Sequence, residues 1–342
     1  MTSTGPRKLL LATLAVIALF AGGHGHAGPV EVTARFGFFS DPWLNLHHFL
    51  YQWARAEEGI GEDRTRVEVP ERADTRALTA AELDAWQAAL AAYRAQVARL
   101  DHLGDPMLGQ KRALLRAGGD PETLPDAVID GVDRALAAAM PVYLAHWWPA
   151  HDAANRRWIA ATVPLLREHE EAFVEMTRSV YDAAWPERLR RIDVSAYANF
   201  RGGYTALGHT VIYSTDPGSQ DLYGLEILLH ESQHTREVTG AFRRALRARF
   251  ADAGVEIPPN LAHAVMFATS GEFVRALAAR EGWPPYLPYW EREGFAAFSG
   301  WSQAADLVAA HWLPALAGEL SAEAAIARML EAQAARQAPQ LP

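Results

Sequence analysis

The pattern His-Glu-x-x-His, formed by His230, Glu231 and His234, is the segment of the chain best suited to chemistry. Residues four apart lie on one face of a helix, so both imidazoles can reach a single metal ion. Glu231 lies about 100° around the helix from His230, where its carboxylate can hold a water molecule instead of the ion. Two neutral nitrogen ligands and a general base are the groups that zinc-dependent hydrolysis requires. The pattern predicts a catalytic Zn²⁺ site, and the alternative is a buried helix with two structural histidines.

The residues around this pattern favour a helix with defined ends. Leucines at positions 222, 225, 228 and 229 form an apolar stripe with helical spacing. The segment DPGS at 216–219 predicts a turn and an N-cap before the stripe. Gly240 predicts the end of the helix. Such a helix would hold both histidines rigidly on one face.

The composition excludes several functional classes. The chain has 342 residues, of which 50% are hydrophobic, enough for a large core or for two lobes that share a cleft. The formal net charge is −9 and no long Lys/Arg-rich face is visible, so we expect neither nucleic acid nor anionic lipid as a partner. The chain has no cysteine, which excludes disulfide bonds, Cys-ligated zinc and a thiol nucleophile.

The first 27 residues predict a secretory signal peptide. Arg7 and Lys8 precede an apolar run over 9–21 that is short for a membrane span. Gly25 and Ala27 are small residues at the two positions that a signal peptidase recognises, so we expect cleavage after Ala27. An uncleaved N-terminal anchor is the alternative. The expected location is the periplasm or the extracellular space, with no stable membrane span after cleavage.

Most of the remaining chain predicts helices. They are expected at 43–57, 80–103, 107–116, 124–139, 151–184, 225–237, 241–253, 261–280 and 302–334. Strands are expected at 191–197, 204–207 and 209–215, just before the metal-binding helix. The predicted fold class is α+β, mostly α. A helical N-terminal lobe over 28–187 would precede a catalytic region over 188–335 and a disordered tail over 336–342.

Two downstream residues are candidates for a third metal ligand. Catalytic zinc usually takes three protein ligands and leaves one position for water. Glu272 lies inside an apolar helix, and His263 lies near the start of the same helix. Nine residues separate them, about half a turn out of phase, so a straight helix cannot direct both at one ion.

The segment HESQH, followed by Gly271-Glu272 on a later helix, resembles the gluzincin branch of the zinc metallopeptidases. The segments NLHHFLY (45–51), HTVIYST (209–215) and LLHESQH (228–234) further resemble a group of uncharacterised exported bacterial proteins. The resemblance implies a zincin-like catalytic region in which Glu272 is the third ligand. It also implies that 209–215 is an edge strand, which would bind an extended substrate by backbone pairing. The sequence departs from several gluzincins at Ala276, where those enzymes carry an Asp that orients a histidine.

Other polar residues are candidates for roles around the ion. Glu226, one turn before His230, could support a ligand, although a solvated face is the preferred interpretation. Peptide hydrolysis also needs a donor to the developing oxyanion. The candidates for that donor or for the wall of the cleft are His263, Tyr213, Tyr204, His47 and His48. The aromatic segment 283–290 is interpreted as a packed loop, with a substrate wall as the alternative.

Together these features predict an exported zinc-dependent hydrolase, a metallopeptidase that acts on peptide or protein substrates. His230, His234 and Glu272 would bind zinc, and Glu231 would activate water. The alternative is a non-catalytic helical binding protein with a structural or lost zinc site, for which His263 or His47 would close the fourth coordination position. A third interpretation is a metallohydrolase for a non-peptide amide, because zinc chemistry on amides does not distinguish these substrates. The sequence leaves the oligomeric state open.

Overall fold

The computed structural model describes residues 28–60, 75–198, 202–206 and 208–338. Helices account for most of these residues and surround one five-stranded sheet. The predicted fold class, α+β and mostly α, is therefore confirmed. The predicted signal peptide at 1–27 lies outside the described residues. Among the described residues, no helix combines the length and the apolar character needed to cross a bilayer.

The sheet mixes parallel and antiparallel pairs in the order β1-β2-β3-β5-β4. Its strands are β1 (Glu31–Val32), β2 (Phe36–Phe39), β3 (Arg190–Ser195), β4 (Gly203–Ala206) and β5 (His209–Tyr213). The pairs β2–β3 and β3–β5 are parallel, whereas β1–β2 and β4–β5 are antiparallel. Strands β1 and β2 were not predicted, because their pairing is set by a distant segment: Phe36 lies opposite Arg190.

Strand β5 is not the edge strand that the gluzincin resemblance implied. It pairs with β3 on one side and with β4 on the other, so both of its backbone edges are occupied. The antiparallel return of the chain makes β4 the last strand of the sheet. Gly203 permits this close pairing, because a Cβ there would lie 2.5 Å from the Val211 carbonyl oxygen.

Twelve α-helices are described. They are α1 (Pro42–Glu57), α2 (Ala80–Gln96), α3 (Asp105–Arg116), α4 (Val132–His146), α5 (Trp148–Tyr181), α6 (Asp221–Gln233), α7 (Arg236–Asp252), α8 (Leu261–Arg280), α9 (Tyr289–Arg292), α10 (Ser302–Leu307), α11 (Leu313–Leu316) and α12 (Ala322–Gln337). A five-residue π-helical segment, Val308–Trp312, joins α10 to α11. The ends of α1 and α8 agree with the predicted ones.

Local capping signals explain where several helices begin. The Asp41 carboxylate accepts a hydrogen bond of 3.0 Å from the Leu44 amide at the start of α1. Thr79 and Glu82 form a reciprocal capping box at the start of α2. The predicted end of the metal-binding helix at Gly240 is wrong, because α6 stops at Gln233 and Gly240 lies inside α7.

Two hydrophobic cores lie on the two sides of the sheet. The first joins the sheet to α5 and to α6, α7, α8 and the C-terminal helices, and the second joins α1–α4 to the other face of β4 and β5. Phe36 of β2 and Trp158 of α5 both belong to the first core. Consequently the predicted lobe boundary at 187 does not separate the two cores.

The C-terminal helix extends further than expected. Helix α12 is capped by Ser321, whose hydroxyl accepts a hydrogen bond of 3.1 Å from the Ala324 amide, and it continues to Gln337. The first residues of the predicted disordered tail at 336–342 are therefore helical. Residues 339–342 lie outside the described part of the chain.

Candidate metal centre

Helix α6 presents the His-Glu-x-x-His residues from a closely packed position. At Gly224, a Cβ would lie 2.7 Å from the Ser219 carbonyl oxygen and 3.0 Å from Trp158 Nε1. Only glycine allows α6 to approach its neighbours this closely. His234 directly follows the last helical residue and keeps a nearly helical backbone, with φ −68° and ψ −2°. The two histidines therefore remain on one face of the helix, as the sequence predicted.

Three histidine side chains converge at this face. His263, in the first turn of α8, places its Nε2 atom 3.1 Å from Nε2 of His230. The Nε2 atom of His234 also lies 3.1 Å from Nε2 of His230. One ring nitrogen from each of the three lies within 4.8 Å of the other two, and within the described ranges this group could hold a metal ion.

The geometry and protonation of the three imidazoles fit a zinc ion. Nitrogen ligands at about 2.0–2.1 Å from a tetrahedral zinc are about 3.3 Å from each other. The Nε2 atom of His230 lies at a similar distance, 3.1 Å, from those of His234 and His263. Burial, followed by the proximity of His234 and His263, lowers the pKa of His230 well below its ordinary value. Burial also lowers the pKa of His234 to about 4 and that of His263 to about 3. At neutral pH the three rings are therefore neutral, the form that binds metals.

Glu231 directly follows His230 on α6 and is not one of the three donors. The residue is buried, and its Oε2 atom has no hydrogen-bond partner among the described residues. Burial raises the pKa of Glu231 to about 8, while the hydroxyl of Thr205 acts in the opposite direction. A buried carboxylate oxygen without a partner is costly and indicates that it serves a ligand or a water molecule.

Strand β4 passes directly over the carboxylate-bearing turn of α6. The Thr205 hydroxyl donates a hydrogen bond of 2.9 Å to the Glu231 carbonyl oxygen. Its neighbour Tyr204 points to the opposite face, where its hydroxyl lies 3.0 Å from Nε2 of His48. The alternation of side chains along the strand thus gives β4 one residue at the metal centre and one in the second core.

Aromatic rings enclose the histidine group. Phe267, one turn after His263 on α8, stacks on the His230 ring with a centroid separation of 3.6 Å. Trp301 lies 5.3 Å from the His263 ring, and Tyr289 stacks on the far side of Phe267 at 5.8 Å. These contacts fix the ring planes and lower the local dielectric constant, which strengthens electrostatic interactions at the site.

Glu272 is not brought to the three histidines. It is half-buried and forms an ion pair of 2.9 Å with Arg275 on the next turn of α8. The reason is helical phase: nine residues after His263, a side chain lies about 13 Å along the axis and half a turn away. Since His263 faces the other histidines, Glu272 faces elsewhere.

The glycine in the Gly271-Glu272 pair has a packing role. A Cβ at Gly271 would lie 2.6 Å from the Pro288 Cβ, so the segment 283–290 can pack on α8 only at a glycine. The same segment is tied to α6 by Glu226, which accepts hydrogen bonds from the Tyr286 hydroxyl and from the Tyr289 amide. Tyr289 and Trp290 are buried, which agrees with the packed-loop interpretation.

The solvated-face interpretation of Glu226 is wrong. Glu226 is completely buried, and burial raises its pKa to about 7. A lone glutamate on an apolar helix gives no local signal for this role, because its partners come from a segment 60 residues later.

Three other candidates belong to the second core instead. His47 and His48 are fully buried on α1, and Tyr213 is nearly so. His47 Nδ1 lies 2.9 Å from the Tyr93 hydroxyl, and the two nitrogens of His48 face the Ser195 and Tyr204 hydroxyls. The structure therefore brings none of the three to the metal centre.

We found no family model, no curated protein and no solved structure that matches this chain.

Proposed function

We propose that the protein is a zinc-dependent hydrolase whose substrates are peptides. The observation that carries this proposal is the convergence of three neutral histidine nitrogens next to a buried carboxylate that has an unpartnered oxygen. His230, His234 and His263 would hold the ion. When bound, zinc supplies a positive charge that polarises a carbonyl group and lowers the pKa of water.

Glu231 would act as the general base. Burial raises the pKa of the Glu231 carboxyl in the metal-free protein, and the positive charge of a bound zinc ion would lower it again. In the ionised form, the unpartnered Oε2 atom would accept a proton from water and return it to the leaving nitrogen. The turn that bears this residue is held in place by the Thr205 hydroxyl. Because the site is buried and bordered by aromatic rings, this proton transfer would proceed with little competition from bulk solvent.

The number of donors supports a catalytic site over a structural one. Structural zinc sites are usually closed by four protein ligands, whereas catalytic sites have three and leave a position open. In the portion of the chain that the structure describes, the group contains three histidines. His47, the other histidine considered for a fourth position, lies in the second core.

An edge strand beside the base supports a peptide as the substrate. Strand β4 pairs with β5 on one side, and it is the last strand in the described sheet. Extended peptides bind such edges through backbone hydrogen bonds. A peptide paired with β4 would run past the turn of Glu231, to which Thr205 is bonded. The proposal keeps the zincin-like arrangement of strand and helix but replaces Glu272 with His263 as the third ligand.

Substitution of the base tests the proposal. Glu231→Gln removes the proton acceptor and keeps the volume of the side chain, so hydrolysis of internally quenched peptides by the zinc-loaded protein should fall at least about 100-fold. Zinc content should be unchanged. Glu226→Gln is the matched control, a buried glutamate on the same helix, and its rate should stay within about threefold of the parent.

Two outcomes would contradict the proposal. Full activity of Glu231→Gln would exclude this residue as the base. Absence of hydrolysis by the zinc-loaded parent over a diverse peptide mixture, with one zinc bound, would favour a binding protein with a structural ion.

A further inference from the structure

A pocket lined by arginines opens beside the metal centre. It has a volume of about 290 Å³ and is partly open to solvent. His234 forms part of its wall, and so do Arg236, Arg243, Arg244 and Arg247 of α7. His234 therefore belongs both to the histidine group and to the wall of the arginine-lined pocket.

The four arginines lie on one face of α7. Their positions, 236, 243, 244 and 247, follow helical spacing with Gly240 between them. Like charges three or four residues apart destabilise a helix by about 0.2–0.5 kcal/mol per pair. A face that concentrates four positive charges is therefore unfavourable unless an anion offsets it.

No such offset is present in the described residues. Within these ranges, none of the four guanidinium groups forms an ion pair with a carboxylate, although the whole chain has a formal net charge of −9. Arg249 on the same helix provides the contrast, because it points away from the pocket and pairs with Glu323 at 2.7 Å. The arginines that line the pocket are therefore available to bind an anionic ligand.

Gly240 keeps the centre of this face open. A glycine inside a helix costs about 1 kcal/mol relative to alanine. A Cβ at this position would lie 3.3 Å from Nη1 of Arg244 and 3.5 Å from Cβ of Arg236, so it would occupy the space between these two arginines. The missing side chain leaves room for a ligand group between them.

Arg243 connects the pocket electrostatically to the histidines. Arg243 and His234 line the same pocket. A fixed positive charge this close repels a bare cation. A negative group bound in the pocket would remove that repulsion, so anion and metal ion would favour each other's binding.

We propose that this pocket binds the carboxylates of an acidic peptide, so that the protein hydrolyses peptides with Asp or Glu, or with a free C-terminus, beside the scissile bond. Guanidinium groups bind carboxylates with two parallel hydrogen bonds, which gives orientation as well as attraction. The inference rests on the proposed hydrolase function and specifies its substrate class.

Peptide binding tests this inference without requiring turnover. Two dye-labelled Ala-rich decapeptides would be compared, one with four Glu and one with four Gln, each with a free or amidated C-terminus. Binding to the full-length Glu231→Gln protein would be followed by fluorescence anisotropy, with peptide integrity checked by mass spectrometry. We expect the Glu peptide to bind at least tenfold more tightly than the Gln peptide, and the difference to shrink as NaCl is raised. The amidated peptides show whether side-chain or terminal carboxylates dominate.

Two double variants, each lacking two arginines, test whether the preference for the Glu peptide arises from the pocket. Arg243→Gln with Arg247→Gln should reduce the Glu/Gln preference to within about twofold. Arg157 is an exposed residue of α5, and neither it nor Arg249 lines the pocket. Arg157→Gln with Arg249→Gln therefore removes the same charge from outside the pocket and should leave the preference intact. Both double variants would be made in the Glu231→Gln protein. Equal binding of the two peptides by the Glu231→Gln protein, or an equal loss in both double variants, would overturn the inference.

Failure of the proposed function gives a different result. In that case the parent would show no hydrolysis of any peptide while the carboxylate preference and its loss in Arg243→Gln with Arg247→Gln persisted. An active enzyme without a preference for acidic peptides would instead support the proposed hydrolase function and contradict the proposed role of the pocket.

Discussion

Two groups of buried histidines in the described part of the chain can be compared, and the one formed by His230, His234 and His263 is arranged for metal binding. On α1, His47 and His48 are adjacent, so their rings point in different directions and each meets a hydroxyl. On α6, His230 and His234 are one turn apart and meet His263, with Nε2 atoms facing one another. The first pair is held in the core mainly by protein hydroxyls. In the second group, one ring nitrogen from each histidine lies within 4.8 Å of the other two.

The comparison shows that burial alone does not identify a metal-binding histidine. The positions of its ring nitrogens relative to other polar groups must also be known. Burial lowers the pKa values of His47 and His48, just as it lowers that of His230. Both groups are therefore neutral at physiological pH. They differ in whether a proton donor or acceptor of the protein already occupies each nitrogen. Of the α1 pair, only Nε2 of His47 lacks a hydrogen-bond partner in the described residues.

The largest effect should come from removing a nitrogen of the α6 group. His230→Ala should weaken zinc binding by at least about 1,000-fold, or about 4 kcal/mol, because one of three donors is lost. Zinc added to the metal-stripped parent at 1,000 times its Kd should raise the free energy of unfolding by about 4 kcal/mol. Chemical unfolding with and without zinc measures this increment. It should fall to about 0.4 kcal/mol or less in His230→Ala and remain unchanged in His47→Ala. A loss of the increment in both variants would contradict the distinction between the two groups.

A smaller effect, on stability alone, should come from the α1 pair. His48→Ala leaves the Ser195 and Tyr204 hydroxyls without a partner and opens a cavity, so it should destabilise the fold by about 4 kcal/mol. Urea unfolding measures this value, and the folded variant should bind zinc as the parent does. His146→Ala, a half-exposed histidine paired with Glu82, should cost less than about 1 kcal/mol. A loss of zinc from folded His48→Ala would mean that the two groups are coupled.

Much of this arrangement could be predicted from local sequence signals. The helix with both histidines follows from the leucine stripe and the i, i+4 spacing, and the starts of α1 and α2 follow from their capping residues. These features depend on residues within one or two turns. The mostly helical class follows from the same signals.

The choice between His263 and Glu272 could not be made in this way. Both lie on α8, and which of them faces α6 depends on the rotation of α8 about its axis. That rotation is set by packing, for instance by Pro288 against Gly271. The pairing of β2 with β3 and the burial of Glu226 likewise depend on segments far apart in the sequence. The segment 241–253 predicts a basic amphipathic helix, but Gly240 was interpreted as the end of the preceding helix, which separated Arg236 from Arg243, Arg244 and Arg247. For this reason the arginine-lined face of α7 was not expected.

The buried glutamates of α6 extend the comparison to carboxylates. Glu226 resembles His48, since its oxygens are occupied by Tyr286 and Tyr289. Glu231 resembles the metal-facing histidines, since Oε2 has no partner in the described residues. Glu226→Gln should therefore alter the pH dependence of stability and leave zinc binding unchanged.

The sign of the pH effect follows from the raised pKa of Glu226. In the folded protein this carboxyl titrates at about 7, above its ordinary value of 4.5, so the folded state holds a proton that the unfolded chain has lost. Its contribution to stability is complete below the unfolded pKa and is lost as the pH rises through about 7. The loss is at most about 3 kcal/mol. Urea unfolding at pH 4.5 and pH 8 should show this decline in the parent and a smaller one in Glu226→Gln; equal slopes would contradict the assignment.

The account depends most directly on which residues hold the ion. Zinc content should be measured in the purified full-length parent and in His263→Ala and Glu272→Ala after equilibration with the same limiting concentration of zinc. We expect about one zinc per chain in the parent and in Glu272→Ala, and a large loss in His263→Ala. Loss of zinc from Glu272→Ala with retention in His263→Ala would contradict the three-histidine centre and restore Glu272 as the third ligand.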